Sequence, residues 1–161
     1  MIPIVSIVGW TNSGKTTFIT KLIPVLKSRG YRIATIKHNA HKFEIDKQGK
    51  DSWRHRQAGA ETVILSSKEK IAVIKEIKEE VAVEELVSRY IDQEIDLVIV
   101  EGYKTGSVPK IEVFRPDLYD QLVFPEGEVL TRIINREEDL TELYEDQLAE
   151  IVMLIESEVL K

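Results

Sequence analysis

The sequence predicts an α/β chain, a three-layer fold with a mostly parallel sheet flanked by helices. Three observations lead there. Short β-branched runs alternate with stretches of helical apolar spacing. Leu97-Val-Ile-Val100 is apolar throughout, the mark of a strand buried on both faces. The opening run, Ile4–Val8, passes directly into a glycine-bounded turn and then a helical pattern.

Each element follows from local chemistry. After the first strand, Phe18, Ile19, Leu22, Ile23 and Leu26 recur at helical spacing until Gly30, which suits a helix end. Pro24 lies inside that helix, lacks an N–H, and is expected to kink or split it. Residues 32–37 form a second strand. The polar stretch 38–50 has little periodicity and is either a functional loop or a mobile one. Residues 51–59 read as a short helix capped by Asp51 or Ser52 and ended by Gly59. Thr62–Ser66 and residues 71–74 are strands joined by the turn Ser67-Lys-Glu-Lys70. Residues 83–91 are helical. Residues 96–102 are the clearest strand; 111–114 and 129–134 are two more, and 140–160 form a long amphipathic helix.

At 161 residues the chain is expected to be a single domain, 1–161, with a substantial core. Its net charge of −6 and pI near 5.2 argue against a protein that coats nucleic acid or anionic membrane. The absence of Cys excludes disulfides, a thiolate nucleophile and Cys-ligated zinc. The N-terminus lacks a basic n-region, and no apolar run is long enough to span a membrane, so a cytoplasmic location is expected.

Gly9-Trp10-Thr11-Asn12-Ser13-Gly14-Lys15-Thr16-Thr17 contains the full Gly-x-x-x-x-Gly-Lys-Thr phosphate-loop pattern, between a strand and a helix. The amides of Asn12 to Thr16 can wrap a β-phosphate, and the helix start adds its dipole. Gly9 and Gly14 permit the backbone turns. Lys15 supplies a positive charge to β- and γ-phosphates. The Thr16 hydroxyl is placed for Mg²⁺. Gly9 through Thr17 are therefore the expected nucleotide-binding residues, and the fold class narrows to a P-loop NTPase-like one.

Such a loop needs a nearby carboxylate. Asp96 and Glu101 stand at opposite ends of one strand, roughly 16 Å apart at about 3.3 Å per residue. Ligands in parallel sheets bind beyond the carboxyl ends of strands. Glu101 is thus the metal-side acid, with Lys15 the second catalytic candidate, and Asp96 a strand-start or capping residue. In the 38–50 loop, Asp46 and Asp51 are candidate metal ligands through water. Lys37, Lys50 and Arg54 are candidate phosphate contacts. His38 and His41, at i and i+3, have no Cys or carboxylate pattern to support zinc. Trp10 inside the loop is expected to pack against a neighbouring loop.

Taken together, Gly9–Thr17, Thr35-Ile-Lys-His38 with His41, Asp46-Lys-Gln-Gly-Lys-Asp-Ser52, Ala58-Gly-Ala-Glu61 and Leu97-Val-Ile-Val-Glu-Gly-Tyr-Lys104 resemble the MobB family of molybdopterin-guanine dinucleotide biosynthesis proteins. The likeness covers about residues 1–115. It implies a GTP-binding accessory protein with weak GTPase activity, and Mg²⁺ and GTP as cofactors. It further implies a homodimer in which a β-hairpin pairs across the two-fold axis. The implied partner is MobA, the guanylyltransferase that joins GMP to molybdopterin, and molybdopterin itself is a further candidate ligand. No Asn-Lys-x-Asp guanine-reading motif is present. Guanine preference rests on the resemblance, with Asn135 and Asp139 the residues left to consider. A P-loop small-molecule kinase using ATP is the alternative, with residues 102–110 as its lid, although that stretch contains no Arg.

Overall fold

The structure, a computed structural model, describes residues 1–39, 42–136 and 144–161, with backbone alone at 144–146. The expected His41 and Asp139 lie outside the described residues. The chain divides into two compact units, residues 1–38 with 86–161, and residues 39–85.

The first unit is built on β1 (Ile4–Val8), β2 (Ile33–Lys37), β5 (Leu97–Glu101), β6 (Lys110–Phe114) and β7 (Thr131–Ile134); β3 (Thr62–Ser66) and β4 (Ile71–Lys75) belong to the second unit. These five strands form one sheet in the order β2-β5-β1-β6-β7, parallel at every pairing. Alternate strand residues face one core: Val5 and Ile7, Leu97 and Ile99, Ile111 and Val113, then Ile133. Onto that face pack α1 (Lys15–Ser28), through Phe18, Ile19, Leu22 and Leu26, and α4 (Tyr144–Glu158), through Leu148, Ile151, Val152 and Ile155. Val8, Val98 and Val100, on the opposite face, are equally buried, as the unbroken apolar runs require.

Pro24 does not split α1, which runs continuously past it. Burial of the Phe18–Leu22–Leu26 stripe outweighs the one lost backbone hydrogen bond. Asp96 does open β5: its Oδ2 accepts the Arg32 N–H at 2.7 Å and lies 3.7 Å from the Arg32 Nε, fastening β5 to β2 at their amino ends.

The second unit contains α2 (Asp51–Gln57), which packs on the antiparallel hairpin of β3 (Thr62–Ser66) and β4 (Ile71–Lys75). The expected side-chain cap of α2 is not made. Lys50 is the N-cap, and the Ser52 hydroxyl donates instead to Asp46 Oδ1 at 2.7 Å. The unit boundary falls within α3 (Val83–Tyr90).

Candidate functional site

The parallel arrangement brings the carboxyl ends of β2, β5 and β1 side by side. Lys37 pairs in register with Glu101, and Glu101 with Ile7, two residues before Gly9. The phosphate loop leaves β1 at this rim and enters α1 at Lys15. Gly14 sits at φ 99°, and a Cβ there would meet Asn135 Nδ2. Gly9, at φ 147°, lies against the Val113 carbonyl. Only glycine fits either place. Asn12 also takes a left-handed backbone, φ 58°, which Asn tolerates better than most residues.

The loop and the two strand ends bring their polar groups together at this rim. Thr16 Oγ1 donates to Glu101 Oε1 at 2.9 Å, and Lys37 Nζ lies 3.1 Å from the same oxygen. Glu101 is largely screened by the rim, with its side chain 15% exposed against 59% for Lys37. Lys15 folds back over the loop and donates to the carbonyls of Trp10 at 2.6 Å and Gly9 at 3.2 Å. Partial burial pushes the Lys15 ammonium below its usual 10.5; Glu101 opposes that shift, while Lys104 and Lys37 add to it. Lys15 thus feels Lys37, Lys104 and a single carboxylate, Glu101, at the rim of an otherwise acidic chain. This excess of positive charge suits a polyphosphate.

Thr16 and Glu101 offer a hydroxyl and a carboxylate oxygen, both hard donors. Among the described residues no group of three or more His, Cys, Asp or Glu gathers for a metal. A hydroxyl with one carboxylate suits Mg²⁺, which takes one or two protein oxygens and completes its shell with water and phosphate. Asp46 stands in the second unit. Ser52 engages its Oδ1, and Arg56 Nε lies 3.9 Å from its Oδ2. Arg56 also reaches Glu44 at 2.7 Å and Glu76 at 3.4 Å, so this acid belongs to a local charge cluster.

His38 directs its backbone N–H to Glu101 O at 2.9 Å and meets the Tyr103 ring edge-on, centroids 5.6 Å apart. Asn135 was singled out in the sequence only as a residue near the base, while Glu112, Tyr119, Gln121 and Arg132 were missed. Asn135, buried at 2% exposure, donates from Nδ2 to Ser13 O at 2.8 Å and forms the floor beneath Gly14. Its amide nitrogen is thereby committed to the loop. Tyr119 and Gln121 hold the outer arm of the loop, and Glu112, fully buried, holds Arg132 at 3.0 Å. Of the missed residues, Glu112 alone left a signal, as a lone acid within an apolar strand.

A parallel sheet whose central strand runs through a complete phosphate loop into a helix defines the P-loop NTPase-like class. The family model described as "MobB: Molybdopterin guanine dinucleotide synthesis protein B" matches residues 4–136, and the chain belongs to the MobB family. Two relatives, each called a molybdopterin-guanine dinucleotide biosynthesis adapter protein, come from Haemophilus influenzae and Escherichia coli. Each is 42% identical over 117 residues, covering 73% and 71% of this chain. The matched stretch spans 66% of the length of the first relative and 67% of the second. Among solved structures, a molybdopterin-guanine biosynthesis protein B aligns with a TM-score of 0.67 and 31% identity, covering 94% of this chain and 99% of that one. Bacillus subtilis MobB aligns with a TM-score of 0.66 at 23% identity, covering 95% and 98%, a likeness of fold.

Proposed function

We propose that the protein is a nucleotide-binding adapter in molybdopterin guanine dinucleotide biosynthesis, which takes up GTP with Mg²⁺ and assists a MobA-like guanylyltransferase. The observation that carries this reading is the complete phosphate loop with its Thr16 hydroxyl 2.9 Å from Glu101. The names of the relatives supply the pathway and the adapter role.

In this reading, the amides from Asn12 to Thr16 and the start of α1 hold the β-phosphate. Lys15 leaves the Trp10 carbonyl and turns to the phosphates. The Thr16 hydroxyl and Glu101 would hold Mg²⁺, which would supply neutralisation of phosphate charge. Lys37, released from Glu101, becomes a second cation for the γ-phosphate. Gly102-Tyr103-Lys104 follows Glu101 with no glutamine to orient a water, so hydrolysis is slow. Molybdopterin is retained as a ligand met together with the partner enzyme. The protein works in the cytoplasm as a homodimer. The β3–β4 hairpin supports the last point: Ile64, Val73 and Ile71 share one face at 62%, 48% and 68% exposure, and a two-stranded sheet is marginal until such a face is covered.

Calorimetric titration with GTP and with ATP, each with and without Mg²⁺, tests the reading. Mg²⁺-dependent binding of GTP well above ATP is expected. A preference for ATP would transfer the site to the kinase class. The Mg²⁺ assignment has its own check in Glu101→Ala. The gain in GTP affinity on adding Mg²⁺ is expected to shrink severalfold, while binding in chelator holds or improves because Lys37 is set free. An undiminished Mg²⁺ effect in this variant would remove Glu101 from the metal shell.

A further inference from the structure

The outer arm of the phosphate loop is held by a segment more than a hundred residues away. The Trp10 indole N–H donates to the Gln121 carbonyl at 2.7 Å. The Tyr119 hydroxyl donates to the Thr11 carbonyl, also at 2.7 Å. The Trp10 and Tyr119 rings stack, with centroids 5.6 Å apart and planes 24° apart, and Lys104 Nζ lies 4.7 Å from the Trp10 ring centre. The far end of the same segment is anchored in the sheet. The Val123 N–H donates to buried Glu112 Oε1 at 2.6 Å, and Arg132, paired with Glu112, donates to the Phe124 carbonyl at 3.0 Å.

Two features make this more than packing. The arm it holds contains Asn12 in a left-handed backbone, a conformation that a free loop leaves readily. The Trp10 carbonyl is also the acceptor on which Lys15 rests, 2.6 Å away, and it accepts the Ser13 N–H at 3.3 Å. Any phosphate that draws Lys15 away changes the bonding of Trp10 itself.

We propose that the stretch 115–124 is a brace that preorganises the phosphate loop, with Tyr119 as its positioning residue and Trp10 as the point where occupancy of the site is felt. Tyr119 touches no phosphate; it acts through the Thr11 carbonyl and the Trp10 ring. A preformed cradle binds more tightly because the ligand does not have to order the loop. The inference rests on the nucleotide-binding reading above.

The test compares wild type, Tyr119→Phe and Tyr119→Leu in a Trp53→Phe background, so that the indole emission belongs to Trp10 alone. Tyr119→Phe keeps the stack and removes one hydrogen bond. GDP and GTP affinity is expected to fall about fivefold, as one net hydrogen bond allows, with the melting temperature of the nucleotide-free protein lowered by no more than about 2–4 °C. Tyr119→Leu removes both contacts; the fall is larger, and the emission change that wild type shows on adding GDP is lost. A merely structural tyrosine would lower the melting temperature and leave the affinity of the folded fraction and the emission response as they were. That result, or wild-type affinity in both variants, overturns the brace. Failure of the wild type to bind GDP or GTP would instead overturn the nucleotide-binding reading, and the brace with it.

Discussion

Lys15→Ala is expected to cost about 100-fold or more in GTP affinity, read by calorimetry in the presence of Mg²⁺. The ammonium can make two charge-assisted bonds to β- and γ-phosphates, each worth about 1.5–3 kcal/mol, and each 1.4 kcal/mol is a factor of ten. Nothing else replaces it: Lys37 and Lys104 add charge at the rim, but neither lies against the loop carbonyls as Lys15 does. The fold should survive, since the side chain is only partly buried and its partners are two backbone carbonyls. The pH profile gives a second reading of the same group. Burial, with help from Lys104 and Lys37, lowers the pKa of Lys15 from 10.5. Phosphate binding requires the protonated ammonium and raises its pKa, so the complex takes up a proton between the two values. Affinity in wild type therefore declines as pH rises through the lowered pKa, at a pH where an ordinary lysine would still be charged. Lys15→Met should lack this decline. Unchanged affinity in Lys15→Ala would remove the phosphate loop from the site altogether.

Glu112→Ala carries the largest expected loss of stability, about 3–5 kcal/mol, or roughly 10 °C in melting temperature for a chain of this size. Glu112 is fully buried on β6 and accepts from Arg132 Nε and from the Val123 N–H. Truncation leaves the guanidinium with the Phe124 carbonyl alone and the Val123 amide without its acceptor. The damage comes from stranding the partners rather than from losing a favourable pair. Removing both charges should therefore cost less: Glu112→Leu combined with Arg132→Met is expected to melt above Glu112→Ala, and the coupling between the two sites measures their interaction. A single variant that melts within a degree or two of wild type would show that the pair is not structural.

Much of the site was legible because it is written in contiguous residues. The strand Ile4–Val8, the nine residues from Gly9 to Thr17 and the stripe Phe18–Leu22–Leu26 are local patterns, and each forms what its pattern demands. Glu101 was legible by one further step: a carboxylate at the end of a parallel strand faces the rim where the loop lies. The cap of α2 was misread because Ser52 had a competing partner, Asp46, six residues earlier in an aperiodic loop. Pro24 was overweighted because its cost is local whereas the burial that overrides it is contributed by the whole core.

The phosphate loop, the strand that carries the acid facing it and the alternation of strands with helices are all readable from neighbouring residues. It takes the packed sheet to set β5 beside β1, so that Glu101 meets Thr16 across 85 residues, to bring Asn135 under the loop from 122 residues away, and to lay Tyr119 and Gln121 against its outer arm. The reason is physical. Periodicity and turn chemistry act over a few residues, whereas these contacts depend on the order in which strands cross and pack, a choice made by the burial of the entire sheet.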